Sequence, residues 1–253
     1  FHSTEDPLHF KNEISFQNIS FAYEKNKKNA LIENIDLTMR RGQKIAIIGP
    51  TGSGKSTFLD LLLGMIAPDS GEIMMDQGVL SKENLHSYRR NFSYVPQKIF
   101  FLEDTLQENI VFGSNQELDI DKLDQAILNA SLQELIDDLP NGLQTNISDS
   151  NQMVSGGQKQ CIGIARALYR GGDILILDEA TSGMDQALEK KIYEAVFDSQ
   201  FKTFISVTHK SSLLDKFDTI FVFNDGCIEA IGSYDELKKT SNFFNSMVDQ
   251  PTN

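Results

Sequence analysis

The sequence predicts an α/β fold in which a parallel sheet is combined with an antiparallel sheet and a helical segment. The apolar run Ile45–Ile48 leads into a glycine-rich loop, and a helix begins near Thr57. The run Asp173–Leu177 is almost continuously apolar, which is typical of a strand buried on both faces of a parallel sheet. Strands also alternate with helices along much of the chain, as they do in α/β proteins.

The segments around the first apolar run predict the antiparallel sheet. Ile14–Tyr23 and Ile32–Met39 alternate apolar and polar residues, the pattern of half-buried strands. Further strands are predicted at Glu72–Met75 and Phe92–Val95, the latter ended by Pro96. We expect this sheet to flank the core that contains the glycine-rich loop.

The middle of the chain has a helical pattern from Leu106 to Leu139. The pattern is stopped by Pro140, Asn141 and Gly142, and a further helix is predicted at Gly156–Arg170. One helix face is predicted from the spacing of Leu123, Ile127, Leu128 and Leu132. The last predicted strands cover Thr203–Val207, Thr219–Phe223 and Cys227–Ala230.

The composition is that of a soluble globular protein. Of 253 residues, 40% are hydrophobic and 23% are charged, and no apolar run is long enough to span a bilayer. The net charge of −13 argues against nucleic acid or an anionic membrane surface as the main partner. Cys161 and Cys227 are isolated in the sequence, so we expect structural thiols and no metal site there.

The glycine-rich loop fits the pattern G-x-x-x-x-G-K-[ST] of a phosphate-binding loop. Its predicted binding residues are Gly49, Pro50, Thr51, Gly52, Ser53, Gly54, Lys55, Ser56 and Thr57. Backbone N–H groups and the start of a helix attract anions, the Lys55 ammonium can reach the β- and γ-phosphates, and the Ser56 hydroxyl can ligate Mg²⁺. A plain glycine turn beside a lysine is the alternative, but the strand before it and the helix after it favour a nucleoside triphosphate site.

Two carboxylates follow the second apolar run. Asp178 and Glu179 lie at the predicted C-terminal end of a buried strand, where ligands of open α/β sheets collect. Asp178 suits a contact with Mg²⁺, and Glu179 is a candidate to polarise an attacking water. Alone, the pair would indicate only a strand with a solvated end; beside a phosphate-binding loop it indicates catalysis.

Between these motifs, Val154 is followed by Ser155, Gly156, Gly157 and Gln158, and with them the chain resembles the nucleotide-binding domain of an ABC transporter. The resemblance extends from Glu13 onward. It implies a P-loop NTPase (RecA-like) core with an antiparallel β subdomain and an inserted α-helical subdomain at about residues 98–168. It also implies a domain over residues 13–250, preceded at residues 1–12 by a linker from a missing transmembrane domain, which fits a chain that begins with Phe1.

The resemblance assigns further site residues. The Ser-Gly-Gly-Gln signature would cap the γ-phosphate of ATP bound to the partner subunit, and Tyr23 would stack on adenine. Gln97 would link Mg²⁺ and the attacking water to the membrane domain, and His209 would contact the γ-phosphate. Asp185 would lie in the D-loop at the dimer interface and take part in nucleotide binding there. Lys55, Gln97, Glu179 and His209 are therefore the expected catalytic residues, with Ser56, Gln97 and Asp178 as metal ligands.

The segment Phe100–Gly113 resembles the part of exporters that receives coupling helices. The implied function is an ATPase domain that uses ATP and Mg²⁺ to power export or flipping of a substrate. The implied partners are a second copy of the domain and fused or associated transmembrane domains, at the cytoplasmic face of the inner membrane. Lipids, lipid-linked sugars, peptides and drugs all remain open as substrates.

Two other functional classes are weighed against this one. A soluble ABC ATPase of DNA repair or translation is the alternative, but this acidic chain has no basic stripe. A binding module without turnover is disfavoured by Glu179. The chain also departs from the family pattern at Val154, Lys159 and Cys161 and in the loop Thr145–Asn151, which puts a contact with the membrane domain in doubt.

Overall fold

A computed structural model describes residues 7–23, 31–114, 117–148 and 154–249. Its strands are β1 (Glu13–Phe21), β2 (Ile32–Arg40), β3 (Lys44–Ile48), β4 (Ser70–Met75), β5 (Gly78–Val79), β6 (Phe92–Val95), β7 (Asp104–Thr105), β8 (Asn146–Ile147), β9 (Ile174–Asp178), β10 (Thr203–Val207), β11 (Thr219–Asn224) and β12 (Cys227–Gly232). Its α-helices are α1 (Lys55–Leu62), α2 (Leu85–Arg89), α3 (Leu106–Val111), α4 (Ile120–Asn129), α5 (Gln133–Asp138), α6 (Gly156–Arg170), α7 (Gln186–Phe197), α8 (Tyr234–Thr240) and α9 (Asn242–Val248). Short 3-10 helices cover Gly142–Gln144 and Ser211–Lys216.

The chain divides into two compact units. The first unit combines the residues up to Phe92 with those from Lys202 onward, and the second spans Ser93–Phe201. The predicted helical subdomain falls inside the second unit, which also contains strand β9 and all of strand β6 except Phe92. The predicted domain boundaries stay predictions. Residues 1–6 of the predicted linker, and residue 250 at the predicted end of the domain, lie outside the described residues.

An antiparallel sheet of the order β2-β1-β4-β5 forms one layer of the first unit. Ile14 on β1 pairs with Met39 on β2 and with Met75 on β4, so three buried apolar residues share one face. This register follows from the alternation in the sequence, because a shift by one residue would turn the apolar set to solvent.

The strand before the phosphate-binding loop is fully enclosed in the same unit. Strand β3 pairs in parallel with β10 on one side and with β11 on the other, and β12 adds to β11 in the antiparallel direction. The ring of Phe58 on α1 lies 5.0 Å from Phe16 of β1 and 5.2 Å from Phe223 of β11, measured between ring centroids. Helix α1 is therefore packed between the two sheets, and the loop that precedes it starts from a rigid base.

The described part of the N-terminal segment is also packed on the first unit. Leu8 and Phe10 are buried, and the Asp76 carboxylate accepts hydrogen bonds from the backbone N–H groups of Lys11, Asn12 and Glu13. Partial burial alone would raise the pKa of Asp76, but these donors outweigh it and the pKa is lowered. The carboxylate is therefore ionised at neutral pH and ties the segment to the turn after β4.

In the second unit, helices α3 and α4 pack against α6, and β6 lies beside β9. The helical pattern from Leu106 to Leu139 forms three helices rather than one, because Thr105 and Asp119 cap new helix starts and Ser131 adopts a positive φ of 54°. The predicted face is wrong at Leu128, which is 63% exposed while Leu123 and Ile127 are buried. A step of one residue turns a helix by about 100°, so Leu128 leaves the face on which Leu123 and Ile127 lie four residues apart.

Within the described ranges, none of the helices has both the length and the apolar content needed to cross a membrane.

Candidate active site

Two glycines of the phosphate-binding loop lie at positions where the backbone conformation or a close contact requires glycine. A Cβ on Gly49 would lie 2.5 Å from the Phe223 carbonyl oxygen, so no larger residue fits there. Gly54 has φ +99° and immediately precedes α1, which begins without a side-chain cap or an acidic residue in its first turn. The first N–H groups of α1 are therefore not used by a cap, and a helix start of this kind favours an anion.

The phosphate-binding loop contains two buried polar side chains, those of Ser53 and Lys55. Lys55 is 6% exposed, and its ammonium donates to the carbonyl oxygens of Gly49 and Pro50, each at 2.8 Å. The Ser53 hydroxyl is buried and has no hydrogen-bond partner among the described residues, although a buried polar atom normally has one. Ser56 is exposed on the first turn of α1, whereas Thr57 is buried. A buried cation and a buried hydroxyl in one loop of backbone donors fit a bound phosphate group.

His209 lies beside the same loop. A cavity of about 480 Å³ is lined by Gly49, Pro50 and Thr51 of the loop, by His209, and by residues of α9 such as Phe243. His209 follows the buried strand β10, and Thr208 is tied to β3 through a hydrogen bond to the Ile47 carbonyl oxygen at 3.2 Å. The structure thus brings His209, the histidine expected to contact the γ-phosphate, and the start of the phosphate-binding loop to one cavity of the first unit.

Tyr23 lies just after β1 and is largely solvent-exposed. Its side chain is 63% exposed, and its ring meets Phe21 edge-on with centroids 5.0 Å apart. The contact with Phe21 holds one edge of the ring and leaves a broad aromatic surface in solvent. Such a surface suits stacking on a nucleotide base.

In the second unit, Gln97 and Glu179 are joined directly. The Gln97 amide nitrogen donates to the Glu179 carboxylate at 2.7 Å, which leaves the amide oxygen as the atom able to ligate a cation. Glu179 has a φ of +49°, an uncommon value for a residue that is not glycine and one that carries a conformational cost. Two predicted catalytic residues, far apart in sequence, therefore share one hydrogen bond.

Asp178 has a partner that sequence analysis did not identify. The Tyr94 hydroxyl donates to one carboxylate oxygen of Asp178 at 2.9 Å. Tyr94 belongs to β6, and Asp178 ends the neighbouring strand β9. A tyrosine inside a strand gives no motif, so only the pairing of the strands shows the contact.

The predicted signature begins helix α6. Ser155 is its N-cap, and Gln158 completes a capping box, with its amide oxygen 2.8 Å from the Ser155 backbone nitrogen. Ser155 and Gly156 are exposed, so the hydroxyl and the helix start lie at the surface of the unit.

The residues that depart from the family pattern around the signature each have a packed environment. Val154 is buried, Lys159 lies over the Phe101 ring, and burial raises the pKa of the Cys161 thiol to about 11. The altered loop Thr145–Asn151 lies partly outside the described residues.

The signature helix is linked to the predicted D-loop. The Gln160 side chain donates to the Ser182 hydroxyl at 3.4 Å and accepts from the Gly183 backbone nitrogen at 3.1 Å. Asp185 caps helix α7 by accepting from the backbone nitrogens of Ala187 and Leu188. The observed contact of Asp185 is therefore this helix cap. Its part in nucleotide binding stays a prediction.

Comparison with known proteins identifies the family. The ABC transporter family matches residues 32–182, more than half of the chain. The chain belongs to the ABC transporter family.

Among its ABC transporter relatives, an ATP-dependent lipid A-core flippase of Ralstonia nicotianae is 35% identical over 90% of this chain and 39% of its own length. ABC transporter B family member 14 of Arabidopsis thaliana is 36% identical over 93% of this chain and 19% of its own length. A solved bacterial Atm1-family ABC exporter with ATP bound superimposes with a TM-score of 0.89 at 29% identity, over 96% of this chain and 43% of that one. The chain spans about two-fifths of these relatives or less.

These likenesses confirm the predicted α/β P-loop fold and the nucleotide-binding domain of an exporter-type ABC transporter. They also bear out the prediction of an ATPase domain rather than the soluble repair or translation factor that was the alternative.

Proposed function

We propose that this chain binds ATP with Mg²⁺ and hydrolyses it to drive export or flipping of a substrate across a membrane. The observation that carries the proposal is the loop from Gly49 to Ser56, with its buried lysine and an uncapped helix behind it. In the described part of the chain, the Ser53 hydroxyl of this loop has no hydrogen-bond partner. The family of the chain supports it.

The loop binds the phosphates. The ammonium of Lys55, which contacts two loop carbonyl oxygens, turns to the β- and γ-phosphates, and the first N–H groups of α1 complete the anion site. The His209 side chain contacts the γ-phosphate from the cavity that it shares with Pro50 and Thr51. The exposed ring of Tyr23 stacks on adenine.

We infer the ligands of the cation from each unit separately: the Ser56 hydroxyl in the first unit, and the Gln97 amide oxygen and the Asp178 carboxylate in the second. All three are hard oxygen ligands, the kind that Mg²⁺ prefers. The bond from Gln97 to Glu179 fits this set because it commits the amide nitrogen and leaves the oxygen. When bound, Mg²⁺ neutralises charge that develops on the phosphates.

Glu179 activates the water. Its carboxylate accepts a proton from the water that attacks the γ-phosphate, while Gln97 holds the same carboxylate through its amide nitrogen. Glu179 directly follows the last residue of strand β9 and has a positive φ.

A second copy of the chain completes each site. The exposed start of α6, formed by Ser155, Gly156 and Gly157 with Gln158 as part of its cap, caps the γ-phosphate held by the partner subunit. Asp185 and the D-loop lie at the same interface. Because Gln160 ties the D-loop to α6, both elements move together when the dimer forms.

The whole protein includes fused or associated transmembrane domains at the cytoplasmic face of the inner membrane. The relatives that support this are much longer than the chain and are named as flippases and transporters. The segment Phe100–Gly113 supports it as well, because Phe100 and Phe112 are 62% and 47% exposed and suit an apolar partner. Arg166 of α6 fixes this segment by donating to the carbonyl oxygens of Phe100 and Asn109.

The experiment that tests the proposal removes the cation of the loop. Lys55→Ala is expected to lower ATP turnover by about 10²–10³, the usual cost of one donor to a charged transition state. The control is Lys190→Ala, which removes a surface lysine whose side chain is 71% exposed and should leave turnover unchanged. Steady-state ATPase assays and thermal melting of all three chains provide the measurement. A folded Lys55→Ala chain that hydrolyses ATP at the wild-type rate would overturn the assignment.

A further inference from the structure

Tyr94 is the residue beside the candidate site that no motif accounts for. Its hydroxyl lies 2.9 Å from one oxygen of the Asp178 carboxylate. We propose that Tyr94 is a positioning residue: it fixes the orientation of Asp178 and thereby sets the affinity of the site for the divalent cation. The proposal rests on the proposed function, in which Asp178 is a ligand of that cation.

Two hydrogen bonds join the same two segments. Tyr94 bonds Asp178, and Gln97, three residues later, bonds Glu179, the residue after Asp178. The segment around Tyr94 is itself fixed, because Val95 is buried and the Ser93 hydroxyl donates to the Gly171 carbonyl oxygen at 2.6 Å. The tyrosine hydroxyl is therefore presented from a rigid strand.

The chemistry of this pair suits positioning. A carboxylate has two oxygens and about four acceptor positions, so a donor on one oxygen leaves acceptor capacity for a cation. The hydrogen bond restricts rotation of the carboxylate and reduces the entropy that is lost when a cation binds. The phenol donates without adding a second negative charge to the site. Residues that orient a metal ligand in this way typically change metal affinity by about 10–100-fold when they are replaced.

This arrangement predicts a selective effect. Removing the hydroxyl weakens the step that depends on the divalent cation and leaves the contacts of the phosphate-binding loop with ATP intact. A merely structural tyrosine would weaken ATP binding whether or not the cation is present. The two cases differ in a measurement that needs no turnover.

Tyr94→Phe removes the donor and keeps the ring. The matched control is Tyr169→Phe. It removes a hydroxyl in the same unit that accepts a hydrogen bond from the Asp119 backbone nitrogen at 3.1 Å. Affinity for a fluorescent ATP analogue is measured at increasing Mg²⁺ and again in excess chelator, and Mn²⁺ binding in the presence of ADP is followed by electron paramagnetic resonance. Thermal melting checks the fold of each variant.

In Tyr94→Phe we expect the Mg²⁺ and Mn²⁺ concentrations at half-saturation to rise about tenfold. Affinity in chelator and the melting temperature should match the wild type, and Tyr169→Phe should change neither cation concentration. In an Asp178→Asn background, Tyr94→Phe should have no further effect on the cation.

Equal losses with Mg²⁺ and in chelator would overturn the inference, as would an unchanged cation dependence in a folded Tyr94→Phe chain. A wild-type chain whose nucleotide affinity shows no dependence on Mg²⁺ would instead overturn the proposed function. The two failures are therefore distinguishable in the same titration.

Discussion

At the scale of single residues, the exposed ring of Tyr23 is a surface on which a nucleotide base can stack. Tyr23 is 63% exposed, and its ring meets the ring of Phe21 edge-on. Exposing a large aromatic side chain forgoes burial that would stabilise the fold, so the surface is available to a ligand. Stacking on adenine would cover it.

Replacing Tyr23 separates its ring from its hydroxyl. Tyr23→Ala should weaken ATP binding by about 1–3 kcal/mol, the range for stacking between a base and an aromatic ring. Tyr23→Phe and Tyr23→Trp should largely keep the wild-type affinity, because they keep a ring. Calorimetric titration with ATP and Mg²⁺ measures all three. If Phe is as damaging as Ala, the hydroxyl rather than the ring makes the contact.

At this scale, the sequence predicted the residues that belong to contiguous motifs. Lys55 lies in its loop and Glu179 follows its strand as expected, because local spacing defines both positions. Tyr94 could not be predicted, since its contact depends on which strand lies beside β6. The exposure of Leu128 was missed because it directly follows Ile127, and consecutive residues of a helix point to different faces.

At the scale of elements, the turn between β11 and β12 supports the phosphate-binding loop. The Gly226 backbone nitrogen donates to the Ser53 carbonyl oxygen at 3.1 Å, and the Gly226 carbonyl oxygen accepts from Glu33. A Cβ on Gly226 would lie 2.3 Å from the Leu31 carbonyl oxygen, so the turn is in close contact with the chain before β2. The turn therefore connects β2 to the loop.

A pair of glycine substitutions tests this connection. Gly226→Ala should destabilise the fold by about 2–4 kcal/mol, from a left-handed φ and a close backbone contact together, and should weaken ATP binding. Gly42→Ala has a similar φ of +92°, but no atom of the residues that the structure describes lies within 4 Å of the added Cβ. It should therefore cost only about 1 kcal/mol and leave ATP affinity unchanged.

Urea unfolding and ATP titration of both variants provide the measurement. Equal effects of Gly226→Ala and Gly42→Ala on ATP affinity would show that the turn does not support the loop.

The elements themselves were predicted unevenly. Strands β6 and β10 and helix α6 match their predicted bounds, because apolar runs and glycine or proline breaks define them. Helices α2, α7, α8 and α9 were not predicted. Of these, α2, α8 and α9 have only five to seven residues, too few to show a periodic pattern. The order of strands in the sheets also could not be predicted, because contacts between distant segments set it.

For the whole molecule, net charge opposes association of two copies of the chain, whereas bound nucleotide favours it. Each chain carries −13, so two copies repel one another, most strongly at low ionic strength. ATP counters the repulsion because each bound nucleotide would contact Lys55 of one copy and the start of α6 of the other. The isolated chain should therefore be monomeric without nucleotide and form a dimer only while ATP stays intact.

The measurement that tests this claim most directly is the oligomeric state of Glu179→Gln. This substitution keeps the shape of the side chain and removes the carboxylate that activates water, so bound ATP should persist. Size-exclusion chromatography with ATP and Mg²⁺ should show a dimer, whereas ADP should leave a monomer. Adding Ser155→Arg should abolish the dimer by blocking the second phosphate contact. A Glu179→Gln chain that remains monomeric at saturating ATP and high protein concentration would contradict the account.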